Sequence, residues 1–176
     1  MSVEKFQNKY RIPTARAKWH GYNGGNYFIT ICTQNRETYF GDISNGQMNL
    51  SEIGNFLKQE ISVTASKRAD MNVEIPLYVI MPNHIHLIII IRQNGYNSSK
   101  SNHGKFEPQR KNLASIIRGI KSATKSYAQK HGIIFGWQSR YHDRIIRNQT
   151  ELNKIAHYIE NNIANWQTDC FFDKQQ

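Results

Sequence analysis

Two histidines separated by one residue, His84 and His86, are the residues of this chain best placed for metal chemistry. They open an apolar run that continues to Ile91, which is typical of a strand buried on both faces. Because residues two apart on a strand point to the same face, both imidazoles leave one side, and Ile85 and Leu87 face the other. Two neutral imidazoles on one face make half of a divalent-metal site. The alternative is a histidine pair at the solvent-exposed end of a core strand.

A second pair of polar residues, Tyr158 and Asn162, lies near the C-terminus. The apolar stripe around it predicts a helix that begins with Thr150 as its N-cap residue and buries Leu152, Ile155, Ile159 and Ile163. Residues four apart on a helix lie one above the other, so Tyr158 and Asn162 share a face.

The run from Leu77 to Arg92 reads Leu-Tyr-Val-Ile-Met-Pro-Asn-His-Ile-His-Leu-Ile-Ile-Ile-Ile-Arg. It resembles the His-hydrophobic-His motif of the single-strand DNA nucleases called HUH enzymes, and most of all the Y1 transposases of the IS200/IS605 type and their REP-associated relatives. Those enzymes carry one nucleophilic tyrosine on a C-terminal helix and a polar metal ligand one turn later, as Tyr158 and Asn162 would. The Asn favours the REP-associated branch, although Ile163 stands where that branch has Pro.

The resemblance implies a fold, a reaction and a site. The fold is α/β (α+β), a ferredoxin-like antiparallel sheet of four or five strands with helices on one face. The reaction is metal-dependent cleavage and rejoining of single-stranded DNA at hairpin repeats, through a 5′-phosphotyrosine. Tyr158 is the implied nucleophile, and His84, His86 and Asn162 are the implied ligands of Mg or Mn. The partner is DNA with a REP-like or transposon-end-like hairpin, and both a monomer and a homodimer stay open.

The charge of the chain agrees with a polyanionic partner. Lys and Arg number 23 against 13 Asp and Glu, a formal net charge of +10. The candidate DNA contacts are Arg118, Lys121, Lys125, Trp137, Arg140, Arg144 and Arg147. A solvated helix face for the first three and a core position for Trp137 are the open alternatives.

The remaining pattern predicts the order of elements. Strands are expected at 26–33, 73–80, 84–92 and after Trp137, with Pro76 marking an edge strand or a bulge. A hairpin turn is expected at Asn45-Gly46, and helices after Ser51 and Asn112. Residues 1–22 are interpreted as a basic N-terminal arm, 23–172 as a single catalytic domain, and 93–110 as a flexible loop within it.

Several classes of protein are disfavoured. No apolar run approaches the roughly 20 residues of a membrane span, and residues 1–20 have no signal-peptide pattern, so a bacterial cytoplasm with nucleoid association is expected.

Two rival functions stay open. One is a replication-initiator or relaxase-like HUH nicking enzyme, which usually has further domains. The other is a domesticated binder of structured nucleic acid that has lost catalysis.

Overall fold

The computed structural model describes residues 22–97 and 111–172, and its centre is an antiparallel sheet. Within these residues the elements are β1 (Gly25–Cys32), β2 (Gly41–Ser44), β3 (Gln47–Leu50), α1 (Glu52–Thr64), β4 (Val73–Met81), β5 (His84–Ile91), α2 (Leu113–Lys130), β6 (His142–Ile146) and α3 (Gln149–Asn161). Residues 1–21 of the predicted arm and 98–110 of the predicted loop lie outside the described residues. None of the described helices combines the length and apolar content needed to cross a bilayer.

The sheet order is β4-β5-β1-β6, and β2 pairs with β3 in a separate hairpin. Without that hairpin and α3, the chain follows the β-α-β-β-α-β order of ferredoxin-like folds, which confirms the predicted class. β4 is an edge strand, and its pairing with β5 shifts register between Glu74 and Leu77, around Pro76. Both the predicted edge position and the predicted bulge are therefore present, since proline cannot donate to a strand ladder.

The helices begin at capping residues, two of which the sequence predicts correctly. Ser51 accepts a hydrogen bond from the Gly54 backbone N–H, and Asn112 forms a reciprocal capping box with Ser115. The prediction of Thr150 as the cap of the last helix was wrong. Asn148 is extended and accepts from the Glu151 N–H, so α3 begins at Gln149. Asparagine is the stronger N-cap residue, and it follows the end of β6 closely.

Helices cover both faces of the sheet, whereas the sequence predicted them on one. α1 and α2 cover the face that carries Ile29, Ile85 and Leu87. α3 lies on the opposite face, where it packs with Ile88, Ile146 and other apolar residues of a second cluster. The prediction failed because β5 is apolar on both sides, and its second side also has to be covered. His84 and His86 lie on the face of α3.

Candidate active site

The histidine pair is buried in the sheet at the start of β5. The side chains of His84 and His86 are 0% and 1% exposed, and their Nε2 atoms are 3.1 Å apart. In the strand ladder, His86 lies opposite Thr30 of β1 and Val79 of β4, while His84 lies opposite Cys32 and Met81. The pair therefore shares one face, as the sequence predicts, but it is fully enclosed rather than at a wet strand end.

Neighbouring polar groups hold both rings in place. The Asn83 side-chain amide donates from Nδ2 to the Phe171 carbonyl oxygen at 2.9 Å, which leaves Asn83 Oδ1 at 2.8 Å from His84 Nδ1. Because a carbonyl oxygen only accepts, His84 carries its proton on Nδ1 and presents a lone pair at Nε2. His86 Nδ1 lies 2.8 Å from the Thr30 hydroxyl. Partners of this kind orient imidazoles that ligate metals.

Burial keeps both imidazoles neutral. It lowers the pKa of His84 well below its usual range, the charges of His86 and Arg36 lower it further, and hydrogen bonding with Asn162 opposes them. Burial also lowers the pKa of His86 to about 4, against the opposing effect of the Asp169 carboxylate. Neutral imidazole is the form that binds a metal ion, so the pair is in its ligating state at neutral pH.

Tyr158 extends from α3 towards this pair. Its hydroxyl lies 3.3 Å from His86 Nε2, and its ring meets Phe28 edge-on at a centroid distance of 6.1 Å. The side chain is 41% exposed, so the phenol borders both the buried histidines and the surface. Partial burial and then the charge of Asp169 raise the pKa of Tyr158 to about 12, while hydrogen bonding with Asn162 lowers it. The phenol is therefore protonated at neutral pH.

Asn162 closes α3 one turn after Tyr158 and is 1% exposed. Its Nδ2 donates to Asp169 Oδ2 at 3.0 Å. Its Oδ1 is buried and makes no hydrogen bond of ordinary geometry with any described residue. A buried acceptor that lacks a well-formed hydrogen bond costs up to about 1–3 kcal/mol, so this oxygen is a favourable place for a bound cation.

Asp169 is a residue of this site that the sequence analysis missed. One ligand atom from each of His84, His86 and Asp169 lies within 4.8 Å of the others. The Phe171 backbone N–H donates to Asp169 Oδ1 at 2.7 Å and fixes the carboxylate. The available signal was an acidic residue between Trp166 and Phe171, after α3. Its position depends on the short 3₁₀ turn Trp166–Thr168, which no periodic pattern predicts.

The donor set fits a divalent cation. Ligand atoms at about 2.1 Å from an ion and at right angles to each other stand about 3 Å apart, close to the separation of the two Nε2 atoms. Two neutral nitrogens together with amide and carboxylate oxygens suit Mg or Mn.

The predicted DNA contacts fall into two groups. Arg118, Lys121, Lys125 and Trp137 line one cavity of about 500 Å³ beside α2, on the face opposite the histidine pair. Arg144 lies across from Phe28 on the face of the pair and forms an ion pair with Glu151 at 2.6 Å. Arg140 and Arg147 are exposed before and after β6. Trp137 also packs on Phe40, which agrees with the core alternative, and its stacking on a DNA base stays a prediction.

The fold matches that of a known class of protein. A REP-associated tyrosine transposase bound to a REP hairpin aligns with a TM-score of 0.56 and 21% identity, over 90% of this chain and 74% of that one. This similarity shows that the chain has the fold of that transposase.

Sequence comparison places the chain in a family. It is 38% identical over 168 residues to an uncharacterized protein of Haemophilus influenzae, covering 89% of this chain and 91% of that protein. The chain therefore belongs to the family of that protein. No protein-family profile matches it.

Proposed function

We propose that the protein is a metal-dependent enzyme that cleaves and rejoins single-stranded DNA at hairpin repeats through a 5′-phosphotyrosine, with Tyr158 as the nucleophile. One observation carries the proposal. The Tyr158 hydroxyl lies 3.3 Å from His86 Nε2, which is 3.1 Å from His84 Nε2, so a phenol and a pair of neutral imidazoles from distant parts of the chain meet in one place. The transposase fold supports the same reaction class.

The transfer step needs an activated phenol and a stabilised phosphate. The Tyr158 phenol loses its proton and its oxygen forms a bond to phosphorus as the bond from phosphorus to the 3′-oxygen breaks. The leaving 3′-oxygen gains one proton and becomes a free 3′-hydroxyl, so the proton count is unchanged. A bound Mg or Mn ion would neutralise charge on the phosphate. His84, His86 and Asn162 Oδ1 would hold the ion. The Asp169 carboxylate hydrogen-bonds with Tyr158 and is placed to accept the phenolic proton.

The segment after α3 shields the site from water. The Phe171 ring lies with its centroid 4.5 Å from that of His84, and the Arg36 guanidinium lies 4.2 Å above the Phe171 ring. Because Tyr158 is half-exposed while the histidines are enclosed, we place the scissile phosphate on the Tyr158 side. A later attack by another 3′-hydroxyl on the phosphotyrosine would restore a DNA backbone and release Tyr158.

The test is a denaturing gel with labelled hairpin DNA and Mg or Mn, with and without chelator. We expect a metal-dependent covalent band in the wild type that is lost in Tyr158→Phe and in His84→Ala. Tyr96→Phe is a matched control, because Tyr96 is 43% exposed and Tyr158 is 41% exposed. A band that survives Tyr158→Phe would identify a different nucleophile. Intact binding with no band across a broad hairpin panel would favour a catalytically inactive binder.

A further inference from the structure

A cavity of about 500 Å³ lies between α2 and the segment that leads into β6, and we call it the α2 pocket. Its lining includes Arg118, Lys121, Ser122, Lys125, Trp137 and Tyr141. These residues come from two stretches of chain that the fold brings together. They combine cations, hydroxyl groups and flat aromatic rings in one concave surface.

The α2 pocket lies on the face of the sheet opposite the histidine pair. His86 and His142 both lie opposite Thr30 in the strand ladder, so His142 shares the face of the pair. The neighbouring Tyr141 therefore points to the other face, where α2 packs on the sheet. A ligand in this cavity would not occupy the position of the phosphate that Tyr158 attacks.

The walls of the α2 pocket are fixed by contacts within the protein. Lys121 Nζ donates to the Gln138 carbonyl at 2.5 Å and to the Ser139 carbonyl at 3.3 Å, which joins α2 to the opposite wall. The Trp137 ring packs on Phe40 and Phe135 with centroid distances of 5.2 and 5.1 Å. An aromatic wall that is ordered beforehand loses little entropy when a ligand binds.

The chemistry of the α2 pocket matches a single nucleotide. Aromatic rings stack on nucleobases, and Arg and Lys beside them neutralise phosphates, which is the usual composition of single-strand binding sites. Arg118 and Lys125 are exposed on α2, where a phosphate can reach them. The volume lies at the lower end of the range for small-molecule sites, enough for one nucleotide but too small for a base-paired duplex.

We propose that the α2 pocket binds one unpaired nucleotide of the DNA strand, with its base against Trp137 and Tyr141 and its phosphate at Arg118 and Lys125. The inference rests on the proposed function, because DNA is taken to be the substrate. It assigns a holding site on one face of the sheet and the cleavage site on the other. The recognised feature is then single-stranded DNA beside the hairpin.

Fluorescence anisotropy with two hairpins, one blunt and one with an unpaired flank, tests the proposal. Arg118→Gln and Lys125→Gln each remove one cation, and Ser122→Trp fills the cavity from an exposed helix position. We expect each to weaken binding of the flanked hairpin about five- to tenfold and to leave the blunt hairpin unchanged. Lys130→Gln is the control, because it removes the same charge from α2 outside the pocket and should change affinity less than twofold.

A photo-crosslink gives an independent readout. An oligonucleotide with 5-iodouracil in the unpaired flank should attach to Trp137 or Tyr141, as mapped by mass spectrometry. Crosslinks confined to the Tyr158 face would overturn the proposal. Equal losses of affinity for the flanked hairpin in Lys130→Gln and in the pocket variants would also overturn it. Loss of the crosslink in the presence of micromolar free nucleoside monophosphate would also overturn it, because the ligand of the pocket would then be a free nucleotide.

The two proposals fail in different ways. If the pocket variants lose flank binding while the wild type forms no covalent band, the cleavage proposal fails and the pocket stands. If the covalent band forms and the pocket variants bind the flanked hairpin normally, the pocket fails and cleavage stands.

Discussion

At the scale of single residues, Asn162 and Asp169 both contribute polar groups to the proposed metal site. Asp169 accepts from Asn162 Nδ2, and this bond turns Asn162 Oδ1, which lacks a well-formed hydrogen bond, away from the carboxylate. The carboxylate also lies near both imidazoles, so it adds negative charge to the proposed metal site. We therefore expect Asp169 to help hold a cation, either by contacting the ion or by orienting Asn162.

We expect Asp169→Asn to weaken Mn binding about ten- to hundredfold, because it removes that charge and leaves the shape almost unchanged. The measurement is calorimetric titration of Mn into wild type and variant, supported by the metal-induced rise in melting temperature. Asp42→Asn in the β2–β3 hairpin is the control, since Asp42 is exposed on a separate sheet. Equal Mn affinities in Asp169→Asn and wild type would remove Asp169 from the site.

The burial of His86 predicts how stability depends on pH. Its pKa is about 4 in the folded protein and about 6.5 in an unfolded chain, so between these values the unfolded state binds more protons. Stability should therefore fall as the pH drops from 6.5 to 4, by up to about 3 kcal/mol from this residue, and His84 acts in the same direction.

Urea unfolding in chelator at several pH values checks this dependence. His86→Gln should show a shallower loss of stability on acidification than wild type. His157→Gln, at an exposed position of α3, is the control for the general effect of replacing a histidine with glutamine. Identical slopes in His86→Gln and wild type would show that His86 is not buried as a neutral ring.

At the scale of elements, the sequence predicts local structure better than it predicts which elements meet. Period-two and period-3.6 patterns correctly predict β1, β5, α1 and α2, and the one-turn spacing of Tyr158 and Asn162 is enough to expect a shared face. The side of the sheet that α3 covers is a tertiary property, because β5 is apolar on both faces. Asp169 was missed for a similar reason, since an irregular turn positions it.

The packing of α3 should control the geometry of Tyr158. Ile159 on α3 and Ile120 on α2 are each 1% exposed, but they lie in clusters on opposite faces of the sheet. Ile159→Ala and Ile120→Ala should each cost about 2–5 kcal/mol of unfolding free energy. Only Ile159→Ala should also slow covalent-band formation, on the order of tenfold, because it loosens the helix that carries the proposed nucleophile.

Single-turnover rates, measured at a temperature where urea unfolding shows both variants folded, separate the two effects. Ile120→Ala serves as the control for general loss of stability. Equal rates in the two variants would mean that α3 holds Tyr158 without the contribution of Ile159.

At the scale of the whole molecule, the sheet separates two kinds of surface. The α3 face carries buried neutral imidazoles, an amide and a carboxylate, while the cations of the α2 pocket lie on the other face. Charges in water are screened by salt, whereas enclosed groups are screened much less. Binding of DNA and the covalent step should therefore respond differently to ionic strength.

With a net charge of +10, DNA binding should depend on salt strongly enough to be distinguished from the covalent step. If the protein neutralises about five phosphates of a single strand, log Kd should rise with log salt at a slope of about 3.5, roughly a hundredfold loss of affinity between 50 and 200 mM KCl. The rate of covalent-band formation at saturating DNA should change less than about threefold over that range. Lys125→Gln should reduce the slope by about 0.7, and Lys130→Gln should not. A flat dependence with intact affinity would mean that base contacts carry binding and that the positive charge serves solubility instead.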